Sequence, residues 1–143
     1  TETVQAAVAD SARYDVFGLI DAALLGQPEH ILQMLAGLRA EGIEAPVILW
    51  AVAREVRQLA NIAHQYAQGV PLDRAFSQAR PPVWDKRKPL VSKALQRHDA
   101  AGWQRLLMSA QQIDEQIKGQ AEGDPWVGLT DLCLQLCGRQ IRL

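Results

Sequence analysis

Apolar residues recur at helical spacing along most of the chain. The longest such stretch is Pro46 to Tyr66, PVILWAVAREVRQLANIAHQY, with Leu49, Val52, Ala53, Val56, Leu59, Ala60, Ala63 and Tyr66 on one stripe. That i, i+3, i+4, i+7 recurrence predicts an amphipathic helix with one buried face. Arg54, Glu55, Arg57, Gln58 and Asn61 fall between those positions and are expected to face water. Pro46 suits the first helical position, where its missing N–H would have had no intrahelical partner. Gly69 can close the helix by taking the left-handed conformation that other residues avoid. The first turn, Val47-Ile48-Leu49-Trp50, is apolar nearly all round, which predicts burial on more than one side. This stretch is expected to be the central helix of an all-α domain.

The same spacing places other helices around it. Asp15 is a good N-cap for a helix through Leu25, with Val16, Leu19, Ile20, Ala23 and Leu24 inward and Gly26 closing it. Pro28 opens a second helix with Ile31, Leu32, Leu35 and Leu38, closed by Gly42. A short helix is expected around Leu72, Ala75 and Phe76, and Arg80-Pro81-Pro82 then breaks the chain. Asp85 is the expected cap of a helix to about Arg97, with Leu90, Val91, Ala94 and Leu95 apolar and Pro89 tolerated in the first turn. Asp99 caps a longer helix with Trp103, Leu106, Leu107, Ala110, Ile113 and Ile117 on one stripe. Gly119 and Gly123 bracket a loop, and Asp124-Pro125 starts a last helix with Leu129, Leu132, Cys133 and Leu136 inward. No segment alternates with the period of a strand, and no hairpin dipeptide occurs. The prediction is a compact bundle of six or seven helices.

At 143 residues the chain fits one domain, able to bury roughly two-thirds of its unfolded surface. A net charge of −1 gives no global field toward nucleic acid or lipid, so any such contact must come from a local patch. No apolar run approaches the ~20 residues of a membrane span, and the first residues lack the basic and apolar regions of a signal peptide. Cys133 and Cys137 lie four apart on an expected helix. Successive turns hold their Cβ atoms too far apart for an unstrained disulfide, and two cysteines do not make a zinc site. They read as reduced residues in or near the core, and a cytoplasmic location follows as the default. The chain begins at Thr1 without a start methionine, which reads as a fragment of something longer.

Catalytic chemistry is hard to find. His30, His64 and His98 lie on three different segments, with no Cys, Asp or Glu at metal-ligand spacing. No Gly-rich phosphate loop, HExxH or G-x-S-x-G occurs. Neither a catalytic set, a metal site nor a cofactor is expected. Trp50, Trp103 and Trp126 have core packing as their default. The local anomaly is Arg80 to His98, RPPVWDKRKPLVSKALQRH, where Arg80, Lys86, Arg87, Lys88, Lys93 and Arg97 face Asp85 alone, a local charge of +5. Cations at a helix start oppose the macrodipole, so something other than helix stability keeps them there. Two readings stand. The patch with Trp84 beside it contacts phosphates and stacks on a base, or it is a solvated helix whose Trp84 plugs the domain.

Taken in order, RYDVFGLIDAALLGQ, ILQMLAGLRAEGIEAPVILWAVAREVRQL, PPVWDKRKPLVSKAL and PWVGLTDLCLQLC resemble the C-terminal part of delta subunits of the bacterial DNA polymerase III clamp loader. The resemblance runs from about Tyr14 to Cys137. It implies a helical collar domain over residues 14–143, with residues 1–13 the tail of, or connection to, a preceding module. Delta proteins carry two N-terminal modules of the AAA+ type, not regarded as working ATPases, through which they open the sliding clamp; those modules are absent from this chain. The collars of five subunits pack in a ring that holds the loader together, so the implied partners are subunits of the delta-prime and gamma/tau type, with no membrane. The domain would have no catalytic site of its own, although the parent holoenzyme is a DNA-directed DNA polymerase.

The resemblance also bears on the basic segment. Trp84 matches the tryptophan of the family's VW segment, which implies a stacking or wedge residue at the primer-template junction, with Lys86, Arg87, Lys88 and Arg80 near phosphates. One departure stands out: some relatives carry an aromatic in the loop before the last helix, where this chain has Gln120-Ala121-Glu122. Candidate subunit-interface residues are those left over from the core stripes, Trp50, Met34, Met108, Ile141 and Leu143. Two other classes compete with the collar. A free-standing adaptor would bind a peptide or protein through an apolar groove without sister subunits, and a small helical enzyme would need converging titratable groups.

Overall fold

The computed structural model describes residues 16–138, and within them every regular element is an α-helix. Helix α1 covers 16–25, followed by α2 (Pro28–Ala40), α3 (Ala45–Ala67), α4 (Leu72–Gln78), α5 (Lys88–Arg97), α6 (Ala100–Ile117) and α7 (Pro125–Leu136). The expected cap Asp15 and the expected connection over 1–13 lie outside the described residues.

Helix α3 is the centre of the bundle. It packs most extensively along α6, and also meets α4, α5 and α7, while α6 and α2 each pack on α7. Its buried face is Ala45, Ile48, Leu49, Val52, Val56, Leu59, Ala60 and Ile62. Three expectations for this helix are corrected. Val47 and Trp50 are exposed, so its first turn is buried on one side only. Trp50 stands two positions before Val52, about 200° round the helix, on the face turned from the core. Tyr66 is also exposed, because the helix runs on past the layer it packs against and residues 66–69 all meet water. Glu55 and Gln58, expected in water, are half-buried.

The other stripes hold with small changes. Val16, Leu19, Ile20, Ala23 and Leu24 of α1 are all buried. The short connection to α2 brings the two helices together: Met34 lies over Gly18, where an added Cβ would come within 2.7 Å of the Met34 methyl. In α2, Ile31, Leu35 and Leu38 are buried but Leu32 is exposed, one position off a narrow stripe. Trp103 of α6 is the largest fully buried side chain, in edge-to-face contact with His98 at 5.0 Å between ring centroids. The Asp99 and Asp124 carboxylates cap α6 and α7, accepting from Gly102 N at 2.7 Å and Trp126 N at 2.9 Å. Gly128 gives α7 its close approach to α6, since a Cβ there would sit 2.8 Å from Ile113 Cγ1.

The start of α5 differs from expectation. Its N-cap is Arg87, not Asp85, and no side chain caps it. A turn precedes the helix instead, closed by the Trp84 carbonyl accepting from Arg87 N at 2.8 Å and Lys88 N at 3.1 Å. Pro89 has no N–H to extend that pattern, so the regular helix begins beside it. Asp85 spends its carboxylate on Lys88 Nζ at 2.9 Å.

Candidate functional site

The basic segment is held to the bundle on both sides of Trp84. Before it, Gln58 Nε2 of α3 donates to the Pro81 carbonyl at 2.6 Å, Val83 N donates to the Phe76 carbonyl at 3.0 Å, and the Val83 side chain packs on the core. After it, Arg87 reaches back to two helices, with Nη1 2.7 Å from Asp21 Oδ1 of α1 and Nη2 3.1 Å from Glu55 Oε1 of α3. Between these anchors Trp84 is 73% exposed. The plug reading of Trp84 therefore fails, and its ring is free to meet another surface.

The cations divide into two kinds. Partial burial works against the charge of Arg87, but hydrogen bonds and charge from Asp21 and Glu55 outweigh it and hold the guanidinium above its ordinary pKa. Lys88 is raised, first by its hydrogen bond to Asp85, and Asp85 is lowered by the same bond. Arg80 folds onto its own strand of backbone, Nη1 donating to the Ala79 carbonyl at 3.1 Å and the Ser77 carbonyl at 3.3 Å. Arg97 Nη1 donates to the Leu24 carbonyl at 2.6 Å. Lys86 and Lys93 are exposed and make no ion pair among the described residues. The patch is thus partly neutralised from within, with Trp84 and Lys86 as its open face. This explains how cations persist at a helix start: carboxylates from α1, α3 and the preceding turn face two of them.

Asp21 and Glu55 are the members that sequence reasoning missed. Nothing in the spacing links positions 21, 55 and 87, and the apolar period of α3 puts Glu55 on its water side. Their convergence exists only once three helices are packed.

The candidate interface residues differ in their exposure. Trp50 is 60% exposed and Met108 is 71% exposed, whereas Met34 is half-buried over α1. Ile141 and Leu143 lie outside the described residues. A separate apolar groove of about 470 Å³ runs between α2 and α7, lined by Leu32, Ala36, Trp126, Val127 and Arg39 among others. Trp126, expected in the core, is half-buried at its edge, with the Arg39 guanidinium 5.0 Å from its ring centroid. A larger depression of about 1220 Å³ beside α6 is lined by both signs of charge, including Arg97, Arg105, Glu115 and Asp131. Among the described residues no group of three or more His, Cys, Asp or Glu is placed to hold a metal ion. No described helix is long and apolar enough to cross a membrane.

Comparison with known proteins fits this architecture. The family described as "Processivity clamp loader gamma complex DNA pol III C-term" matches residues 16–142. The chain is similar to the DNA polymerase III subunit delta of Escherichia coli (strain K12), 30% identical over 138 residues, which are 96% of this chain and 39% of that protein. It is also similar to the DNA polymerase III subunit delta of Haemophilus influenzae, 25% identical over 136 residues, 91% of this chain and 40% of that protein. The chain therefore spans about two-fifths of the length of these relatives. With the match covering nearly all of an all-helical domain, the chain belongs to the family of C-terminal domains of the DNA polymerase III clamp-loader delta subunit.

Proposed function

We propose that this domain is the collar of a clamp-loader delta subunit, an assembly module that packs against delta-prime and gamma/tau type subunits while the loader places a sliding clamp on primed DNA. Residues 14–143 form the collar in this reading, and residues 1–13 are the tail of the preceding module or the connection to it. The clamp itself is gripped by modules outside this chain. The observation that carries the assembly role is the family match, and Leu32, Val47, Trp50, Met108 and Val127 supply exposed apolar side chains for such packing.

A contact with the primer-template junction is the second part of the proposal. It rests on Trp84, exposed at the tip of an anchored turn with Lys86 two residues on. An exposed indole stacks on a terminal base pair, and Lys86 supplies charge toward a phosphate. Gln120-Ala121-Glu122 carries no aromatic, so a junction role for the aromatic that some relatives have in this loop is absent or displaced here.

Light scattering after size exclusion, on the domain alone and mixed with the other loader subunits, tests the assembly role. Incorporation into a larger complex without clamp or nucleotide is expected. The apolar groove between α2 and α7 favours the rival adaptor reading. A domain that stays separate from loader subunits, yet binds a short apolar peptide in that groove, would put the adaptor in its place.

A further inference from the structure

Arg87 sits three residues after Trp84 in the most basic stretch of the chain, and its charge alone would make it a phosphate ligand. Its geometry says otherwise. Both terminal nitrogens are spent on carboxylates of other helices, Asp21 at 2.7 Å and Glu55 at 3.1 Å. A guanidinium presents a rigid planar fork, so two filled arms also fix the direction of the side chain and of the backbone that bears it. That backbone is the turn whose carbonyl end is Trp84, closed by the amides of Arg87 and Lys88. On the other side the turn is tied by Gln58 to the Pro81 carbonyl.

We infer that Arg87 is a positioning residue for Trp84: the Asp21–Arg87–Glu55 bridge holds the turn so that the exposed indole is presented in a fixed place for a nucleic-acid end, and Arg87 itself does not grip phosphate. The inference rests on the reading of Trp84 as the stacking residue. Ordering the turn beforehand removes an entropic cost that a loose loop would meet on binding. The carboxylates have the same consequence, although by charge they should repel DNA.

The opposed signs make the test. Equilibrium binding of a fluorescent primer-template oligonucleotide is measured over a salt series, with a loader assembled from the complete subunit. The variants are Trp84→Ala, Arg87→Gln, Asp21→Asn and the double variant Trp84→Ala/Arg87→Gln, each checked for cooperative unfolding. Trp84→Ala should weaken binding by between about 5-fold and about 150-fold, the range for one lost base–aromatic stack. Arg87→Gln should weaken it with the salt slope unchanged, and should add nothing in the Trp84→Ala background. Asp21→Asn removes a negative charge and keeps the side-chain shape, yet should also weaken binding.

If Trp84→Ala binds as the parent does, the stacking reading itself falls. If Trp84→Ala weakens binding but Arg87→Gln lowers the salt slope by about 0.9, the loss of one phosphate contact, the positioning role falls and the stacking reading stands. Additive losses in the double variant, or tighter binding by Asp21→Asn, overturn the positioning role in the same way. Should Arg87→Gln fail to fold, the milder Asp21→Asn still decides by the sign of its effect.

Discussion

Arg97 Nη1 donates to the carbonyl of Leu24 at 2.6 Å, joining the end of α5 to the end of α1 across 73 positions of sequence. The guanidinium and its stem run between two tight turns. A Cβ at Gly26 would lie 3.1 Å from Arg97 Nη2, and one at Gly138 would lie 3.2 Å from Arg97 Cδ. Both glycines have positive φ, +79° and +91°, and because neither carries a Cβ the chain can turn out of α1 and α7 close against this arginine. Next to it, His98 Nε2 lies 3.0 Å from the Leu136 carbonyl, which can only accept, so that nitrogen donates. The α5–α6 junction thereby satisfies the ends of two other helices.

Arg97→Ala should therefore cost stability although it removes an excess positive charge. A hydrogen bond to a charged donor contributes about 1.5–3 kcal/mol, and the Leu24 carbonyl would be left wanting. Urea unfolding should show a lower midpoint with an unchanged slope; an unchanged midpoint would show that water replaces the guanidinium at no cost.

Trp84→Ala and Trp103→Ala should part company. Trp103 is 1% exposed and Trp84 is 73% exposed. Loss of the buried indole should cost about 3–5 kcal/mol, whereas the exposed one should change stability by less than about 0.5 kcal/mol. Thermal melts of the two variants side by side check this.

Two helical glycines should respond with opposite signs. Around Gly37 of α2 nothing lies within 4 Å of an added Cβ, so Gly37→Ala should stabilise by about 0.5–1 kcal/mol through helix propensity. At Gly128 the added atom would press on Ile113 Cγ1 at 2.8 Å, inside the core. Overpacking costs about 1–3 kcal/mol against about 1 kcal/mol regained from propensity, so Gly128→Ala should be a net loss. Equilibrium denaturation of both variants gives the two signs directly.

Burial pushes the Cys133 thiol up from 9.0 to about 12, with a smaller push from Cys137. The fold thus favours the neutral thiol. Its contribution is complete below about pH 9 and is lost as pH rises toward the folded value. Stability should fall through this group between about pH 9 and about pH 12, and Cys133→Ala should flatten that part of the profile. The thiol should also resist alkylation until the protein unfolds, because thiolate, the reactive form, is scarce there.

The helices, the caps Asp99 and Asp124 and most of the inward faces were legible in the sequence. Period, Asp99 and Asp124 as caps, and glycines just past helix ends are local matters, settled within a turn or two of chain. Errors came where a residue's surroundings depend on a neighbour far away in sequence. Trp50 and Leu32 are as apolar as the core residues beside them, and only the width of the packed face decides which are covered. Asp85 had the right chemistry for a cap, but the turn closed on the Trp84 carbonyl drew its carboxylate to Lys88.

The basic segment shows the same division most sharply. Its composition and its tryptophan could be read directly, since charge and side-chain type are properties of single residues. The sequence by itself thus determined an all-α bundle, its central helix and the place where a surface would be unusual. Tertiary structure alone decided that Trp84 points outward, that Arg87 is bound to Asp21 and Glu55, and that Arg97 serves two helix ends. Hydrogen bonds and ion pairs between distant positions follow from distance in space, and distance is set only when the helices have packed.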